Sequence, residues 1–147
     1  VKMLEAARDH IDHWTILDTG STDNTMENIT KTLRNVPGEL YNGVELYDDP
    51  FVDFSTARNR ALDLAGDRCT FTIMLDDTYN IHDGKLMRKF LQKKVKCTRE
   101  QGYYIIIEDP EKQYPSTRIL RSADKIRYKH KIHEDVVLDR IGGTTPG

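Results

Sequence analysis

Apolar residues fall in short runs along this chain, and their spacing changes from helical to strand-like on the way to the C-terminus. Leu4, Ala7 and Ile11 lie on one helical face, so residues Met3 to Ile11 read as the end of an amphipathic helix. Trp14-Thr15-Ile16-Leu17 reads as a buried strand. Met26, Ile29 and Leu33 give the next segment a helical stripe. Asn24, with Glu27 three residues on, makes a capping-box pattern, and Pro37-Gly38 stops the helix. Val44 to Tyr47 predicts a short strand, followed by the acidic loop Asp48-Asp49-Pro50.

Ser55 is the N-cap candidate for a helix running to about Ala65, with Ala57, Ala61, Leu62 and Ala65 inward. Gly66-Asp67 turns the chain into an apolar run, Phe71 to Leu75, that predicts a strand ending at Asp76. Gly84 to Lys94 predicts a helix that uses Leu86, Met87, Phe90 and Leu91. Beyond it, Tyr103 to Ile107, Thr117 to Leu120 and Ile126 to Lys131 read as strands, and Gly142 to Gly147 as a frayed tail or linker. Alternating helices and strands followed by a β-rich half place the chain in the α/β class. Its 147 residues are expected to form one domain.

Charge and cysteine usage narrow the partners. With 22 basic and 24 acidic residues the net charge is −2, which does not suit a general phosphate-backbone binder. Basic residues concentrate from Lys85 to Arg99 and from Arg118 to Lys131, and are read as solvated faces in preference to a nucleic-acid patch. Cys69 and Cys97 show neither zinc spacing nor a disulfide framework, which points to a reducing, cytoplasmic setting. Cys69, beside an apolar strand, is expected to be a small core residue. No run approaches the roughly 18 apolar residues a membrane span needs, and no signal-peptide pattern opens the chain.

Candidate chemistry gathers where strands end in acids. Asp18 closes the first apolar run and leads into Thr19-Gly20-Ser21-Thr22-Asp23-Asn24-Thr25, a turn suited either to capping the next helix or to hydrogen-bonding a base or ribose. Asp76 and Asp77 stand side by side after the second run. Adjacent carboxylates repel, so each wants water, a proton or a cation, and hard divalent cations take such oxygens together with substrate phosphates. A plain surface turn is the other reading. Two strand ends of this kind suggest one crevice at the carboxyl edge of a sheet.

Arg58 and Asn59, in Phe54-Ser55-Thr56-Ala57-Arg58-Asn59, suit either phosphate neutralisation and hydrogen bonding or ordinary first-turn polarity. His133-Glu134-Asp135 follows a strand rich in Lys and Tyr, and offers either an ordinary structural histidine or an imidazole ligand beside a carboxylate base. Walker and dinucleotide glycine loops are both missing from the sequence.

In this order the motifs resemble GT-A-fold glycosyltransferases, especially glycosyltransferase family 2, over about Trp14 to Val137. The residues that carry the resemblance are Asp18-Thr19-Gly20-Ser21-Thr22-Asp23-Asn24-Thr25, Ala57-Arg58-Asn59, Leu75-Asp76-Asp77-Thr78 and Ile132-His133-Glu134. The resemblance implies a Rossmann-like nucleotide-diphospho-sugar transferase fold. It implies inverting transfer from a UDP- or GDP-sugar to a hydroxyl of a glycan or protein acceptor. Asp18 and Thr19 would lie near the nucleobase, Arg58 near the base or diphosphate, and Asp76 at the ribose or a metal-bound water. Asp77 and His133 would hold Mn²⁺ or Mg²⁺, and Glu134 or Asp135 would be the base.

The pattern departs from the family in two respects. Thr78 stands where the common motif has a second Asp. The family's first strand and base-binding loop would precede residue 3, so the chain is expected to lack that strand and to be a fragment. Two other readings compete. One is a catalytically silent sugar-nucleotide or glycan-binding domain. The other, an aspartyl phosphatase, needs an acid at Thr78 and a Thr or Val at Asn80, and is set aside.

Overall fold

Ile119 and Leu120 are consecutive in one strand, and both are buried, at 0% and 2% exposure. Neighbouring side chains in a strand point to opposite faces, so this sheet is covered on both sides. The computed structural model describes residues 2–49, 52–75, 81–97, 99–129, 135–136 and 141–145. It is a mixed α/β arrangement.

In chain order the described elements are α1 (Lys2–Ala7), β1 (Trp14–Asp18), α2 (Thr25–Thr32), β2 (Gly38–Asn42) and α3 (Gly43–Leu46). They continue with α4 (Phe54–Ala65), β3 (Phe71–Ile73), α5 (Gly84–Lys94), β4 (Gly102–Glu108) and β5 (Gln113–Arg121). The last are β6 (Tyr128–Lys129), β7 (Asp135–Val136) and β8 (Ile141–Thr145). Among the described residues the strands form three sheets. β1 and β2 pair in parallel, β6 and β7 pair antiparallel, and a four-stranded sheet has the order β3-β5-β4-β8.

On the Ile119 face, Met87 of α5 packs with Tyr103, Ile105 and Ile107 of β4, backed by Phe71, Ile73, Phe90 and Leu91. Tyr103 is fully buried and meets the Phe90 ring edge-on, with centroids 5.1 Å apart. On the Leu120 face, Leu62 of α4 and Tyr128 of β6 close a second cluster with Met74 and Ile126. Each helix therefore covers one face of the same sheet. Arg121, at the end of β5, ties α5 down. Its guanidinium donates to the carbonyls of Lys94 (3.0 Å), Val95 (3.2 Å), Glu100 (3.1 Å) and Cys97, and lies 4.7 Å from the Phe71 ring centroid. The last turn of a helix leaves carbonyls without intrahelical donors, and here one side chain from the sheet supplies them.

Several local expectations are corrected. The second strand is Gly38–Asn42, and Val44 to Leu46 belong to a short helix with Val44 and Leu46 exposed. Asn42 decides this, because its side chain accepts from the Val44 amide at 3.0 Å and caps the turn. Gly38 is the first residue of β2 as well as the end of the preceding turn. A Cβ there would lie 2.2 Å from the Trp14 indole, so only glycine lets β2 pack against β1 at this point.

The cap of α4 is Asp53, whose Oδ1 accepts from the Thr56 amide at 2.7 Å, and Ser55 is a buried residue inside the helix. At α2 the Asn24 side chain makes no cap bond. Asp23 Oδ1 accepts from the Thr25 amide instead (3.0 Å), and Glu27 pairs with Lys31. Leu86 is 51% exposed and takes no part in the core, while Met87, Phe90 and Leu91 do. Cys69 is half-buried and not a core residue. α5 spans Gly84–Lys94 as expected, and no helix among the described residues is long and apolar enough to cross a membrane.

Candidate functional site

Asp18 ends β1, directly beside Asn42 at the end of the parallel strand β2. The residue is 7% exposed, and its carboxylate turns back over its own loop, where Oδ2 accepts from the amides of Ser21 (2.9 Å) and Gly20 (3.2 Å). Burial pushes its pKa up, but hydrogen bonds from Ser21 and Gly20 outweigh that and hold the carboxyl below its ordinary value. Gly20 has φ +128°, a conformation that favours glycine and that the turn requires. Gly43 supports the loop from behind. A Cβ at Gly43 would lie 2.8 Å from the Asp18 carbonyl oxygen, so α3 begins in close contact with the end of β1. Thr19 is exposed at the tip. Asp18 and Thr19 thus sit together on one formed loop at the carboxyl end of a parallel pair.

The second group centres on α4, which packs against both β1 and β6. Asn59 presents its amide to the backbone of Tyr128. Nδ2 donates to the Tyr128 carbonyl at 2.9 Å, and the Tyr128 amide donates to Oδ1 at 2.7 Å. One turn later, Asp63 Oδ1 accepts from Arg127 Nη2 (2.6 Å) and Nε (2.9 Å). Arg58 lies with its guanidinium carbon 5.5 Å from the Tyr128 ring centroid. Asn59 thus spends its amide on backbone of a distant strand. Sequence spacing could not have revealed it, because the partner is 69 positions away.

The acidic segment after α3 is held by Arg60, which lies 4.0 Å from the Tyr47 ring centroid and donates from Nη1 to the Asp49 carbonyl at 2.7 Å. Sequence reasoning missed Arg60, Asp53 and Asn42 as the residues that shape this end of the molecule. Asp53 and Asn42 carry the ordinary signature of a cap, a short polar side chain just before a helix.

Asp76, Asp77, Thr78, His133 and Glu134 lie outside the described residues, as does the expected crevice at Asp76. Asp135 begins β7, where its backbone pairs with Lys129. Of the predicted site residues that are described, Asp18 and Thr19 share the loop after β1, and Arg58 lies against Tyr128 of β6, the strand paired with the one that begins at Asp135. Among the described residues, no group of three or more His, Cys, Asp and Glu side chains could hold a metal ion. No protein-family model matches the chain, and no curated protein matches it.

Proposed function

We propose that the chain is a metal-dependent glycosyltransferase domain of GT-A type, which moves a sugar from a nucleotide-sugar to an acceptor hydroxyl with inversion. One observation carries the reading. A single helix, α4, bears Arg58, leans on the strand that ends in Asp18, and is bonded through Asn59 to the strand that leads to Ile132-His133-Glu134. The Asp18 strand, Arg58 and Tyr128, far apart in sequence, thus share one support.

Asp18 suits a donor-loop role better than a metal role. Two amides occupy part of its acceptor capacity, and a carboxylate has about four acceptor positions in all, leaving some for a base or ribose. Thr19 would stand beside it. Asp76 would take the ribose, and Arg58 the diphosphate, where a guanidinium forms charge-assisted bonds to phosphate oxygens. A carboxylate and an imidazole, Asp77 and His133, are a donor set that fits Mn²⁺, and also Mg²⁺ where further oxygens come from phosphate and water. When bound, the metal neutralises charge on the departing nucleoside diphosphate. Glu134 or Asp135 would take the acceptor's proton as its oxygen bonds to the anomeric carbon. The bond to the diphosphate breaks and the diphosphate leaves with the electron pair.

Thr78, in place of a second acid, favours one alternative, a binding domain that has lost catalysis. Melting the protein with UDP, GDP and their sugar conjugates, each with Mn²⁺ and with chelator, tests the proposal. A ligand that binds only the native state raises the melting midpoint. A metal-dependent rise with one nucleotide, together with metal-dependent hydrolysis of its sugar conjugate, is the expected result. A rise without hydrolysis supports a silent sugar-nucleotide-binding domain, and no shift with any nucleotide overturns both the transferase and the sugar-nucleotide-binding readings.

A further inference from the structure

The segment 84–99 carries seven basic residues and no acidic one, whereas the whole chain has a net charge of −2; the remainder therefore carries −9. Helical geometry sorts these charges. Met87, Phe90 and Leu91 face the sheet, and Arg88 and Lys94 are half-buried at the flanks, paired with Asp12 (2.8 Å) and Glu100 (3.5 Å). The exposed positions Lys85, Leu86, Lys89, Gln92 and Lys93, with Lys96 just past the last turn, fall within one arc at ~100° per residue. Among the described residues, Lys85, Lys89, Lys93 and Lys96 form no ion pair.

On an exposed helix face, Glu–Lys pairs four apart are stabilising and like charges at that spacing are destabilising by a similar amount. Here Lys85, Lys89 and Lys93 follow one another at that spacing, which is repulsive. Lys93 gains from the helix dipole at the C-terminal end, but Lys85 sits at the wrong end for that. The face thus carries an electrostatic cost within the fold that an external anionic surface would relieve.

We propose that the α5 face formed by Lys85, Lys89, Lys93 and Lys96 adsorbs the protein to an anionic phospholipid membrane surface, with Leu86 at the margin of the contact. Two features favour a membrane over nucleic acid. The four charges are all lysine, a strongly hydrated point charge on a flexible stem, without the guanidinium fork that reads phosphates and bases. Leu86, 51% exposed on the same arc, gives a lipid surface an apolar contact that a phosphate backbone cannot use.

The test is co-sedimentation of the purified chain with phosphatidylcholine vesicles, with and without phosphatidylserine, and a parallel titration with a duplex oligonucleotide. Binding only to the phosphatidylserine vesicles, weakened by added salt, is expected. Each Lys→Gln substitution should lower it about five-fold, and K85Q/K89Q/K93Q/K96Q by on the order of several hundred-fold. All four positions are exposed, so the variants should melt like the parent, and the graded single substitutions keep the test open if the quadruple variant does not fold. Equal binding by parent and variants, or no vesicle binding, overturns the proposal. Binding to the oligonucleotide but not to vesicles overturns it in favour of nucleic acid.

Discussion

The Asn59 side chain bonds to both backbone groups of Tyr128, so a helix residue fastens a strand in the way a neighbouring strand would. Substituting Asn59→Leu would leave a buried-side amide and carbonyl without partners. We expect a loss of about 2 to 3 kcal/mol in urea unfolding. Asn59→Asp keeps the acceptor and should lose less. A cost under about 0.5 kcal/mol for Leu would mean that Tyr128 is held by its ring and not by this amide.

Gly38→Ala sets a Cβ 2.2 Å from the Trp14 indole. Displacing the ring should cost about 1 to 3 kcal/mol, as overpacking does. Trp14 is the chain's single tryptophan, so its emission should shift when the ring moves. The same substitution in a Trp14→Leu background should cost less, and an equal cost in both backgrounds would show that the contact is not the cause.

Asp18 has a distinct pH signature. Its carboxyl is held below the ordinary value of 3.8, so the folded state binds fewer protons than the unfolded one. Its contribution is complete above that value and is lost as pH falls through the lower folded pKa. Asp18→Asn should therefore cost about 1 kcal/mol at neutral pH, and the gap to the parent should close toward acid. A gap that stays constant with pH would remove the charge from the explanation.

Arg121→Lys is not a conservative change here. Lysine cannot reach four carbonyls at the end of α5, and the fork is what makes that possible. A loss of about 2 kcal/mol, with faster amide exchange in the last turn of α5, is expected. Unchanged exchange there would show that the helix end holds without it.

For the proposed transfer reaction, Asp77→Ala should abolish Mn²⁺-dependent nucleotide binding while the melting midpoint of the free protein stays put. Of Glu134→Gln and Asp135→Asn, one should lose turnover and keep donor affinity, and that one is the base. If neither slows transfer, the base lies elsewhere.

What could be read from the sequence depended on how local the deciding contact was. α5 has matching bounds because glycine, apolar spacing and the lysine-rich end all lie inside one window. The strand at β1 and the strand at β4 are likewise carried by their own apolar runs. β2 lies ahead of the apolar run that predicts it, because its strand residues include Glu39 and Asn42, while the more apolar Val44 and Leu46 are drawn into a helical turn by the Asn42 cap. The site divides the same way. Asp18 is legible as an acid at a strand end, whereas its loop geometry needs Gly43 from behind, and the role of Asn59 needs Tyr128.

The outer edge of β6 is occupied by an amide side chain. In an antiparallel ladder a residue's N–H and C=O point to the same side, so Tyr128 directs both toward Asn59, and Lys129 turns its own toward Asp135. The β6–β7 ribbon therefore offers no open bonds to another chain at Tyr128. An unpaired strand edge is a template for pairing with another chain, and here a single asparagine fills that edge at Tyr128.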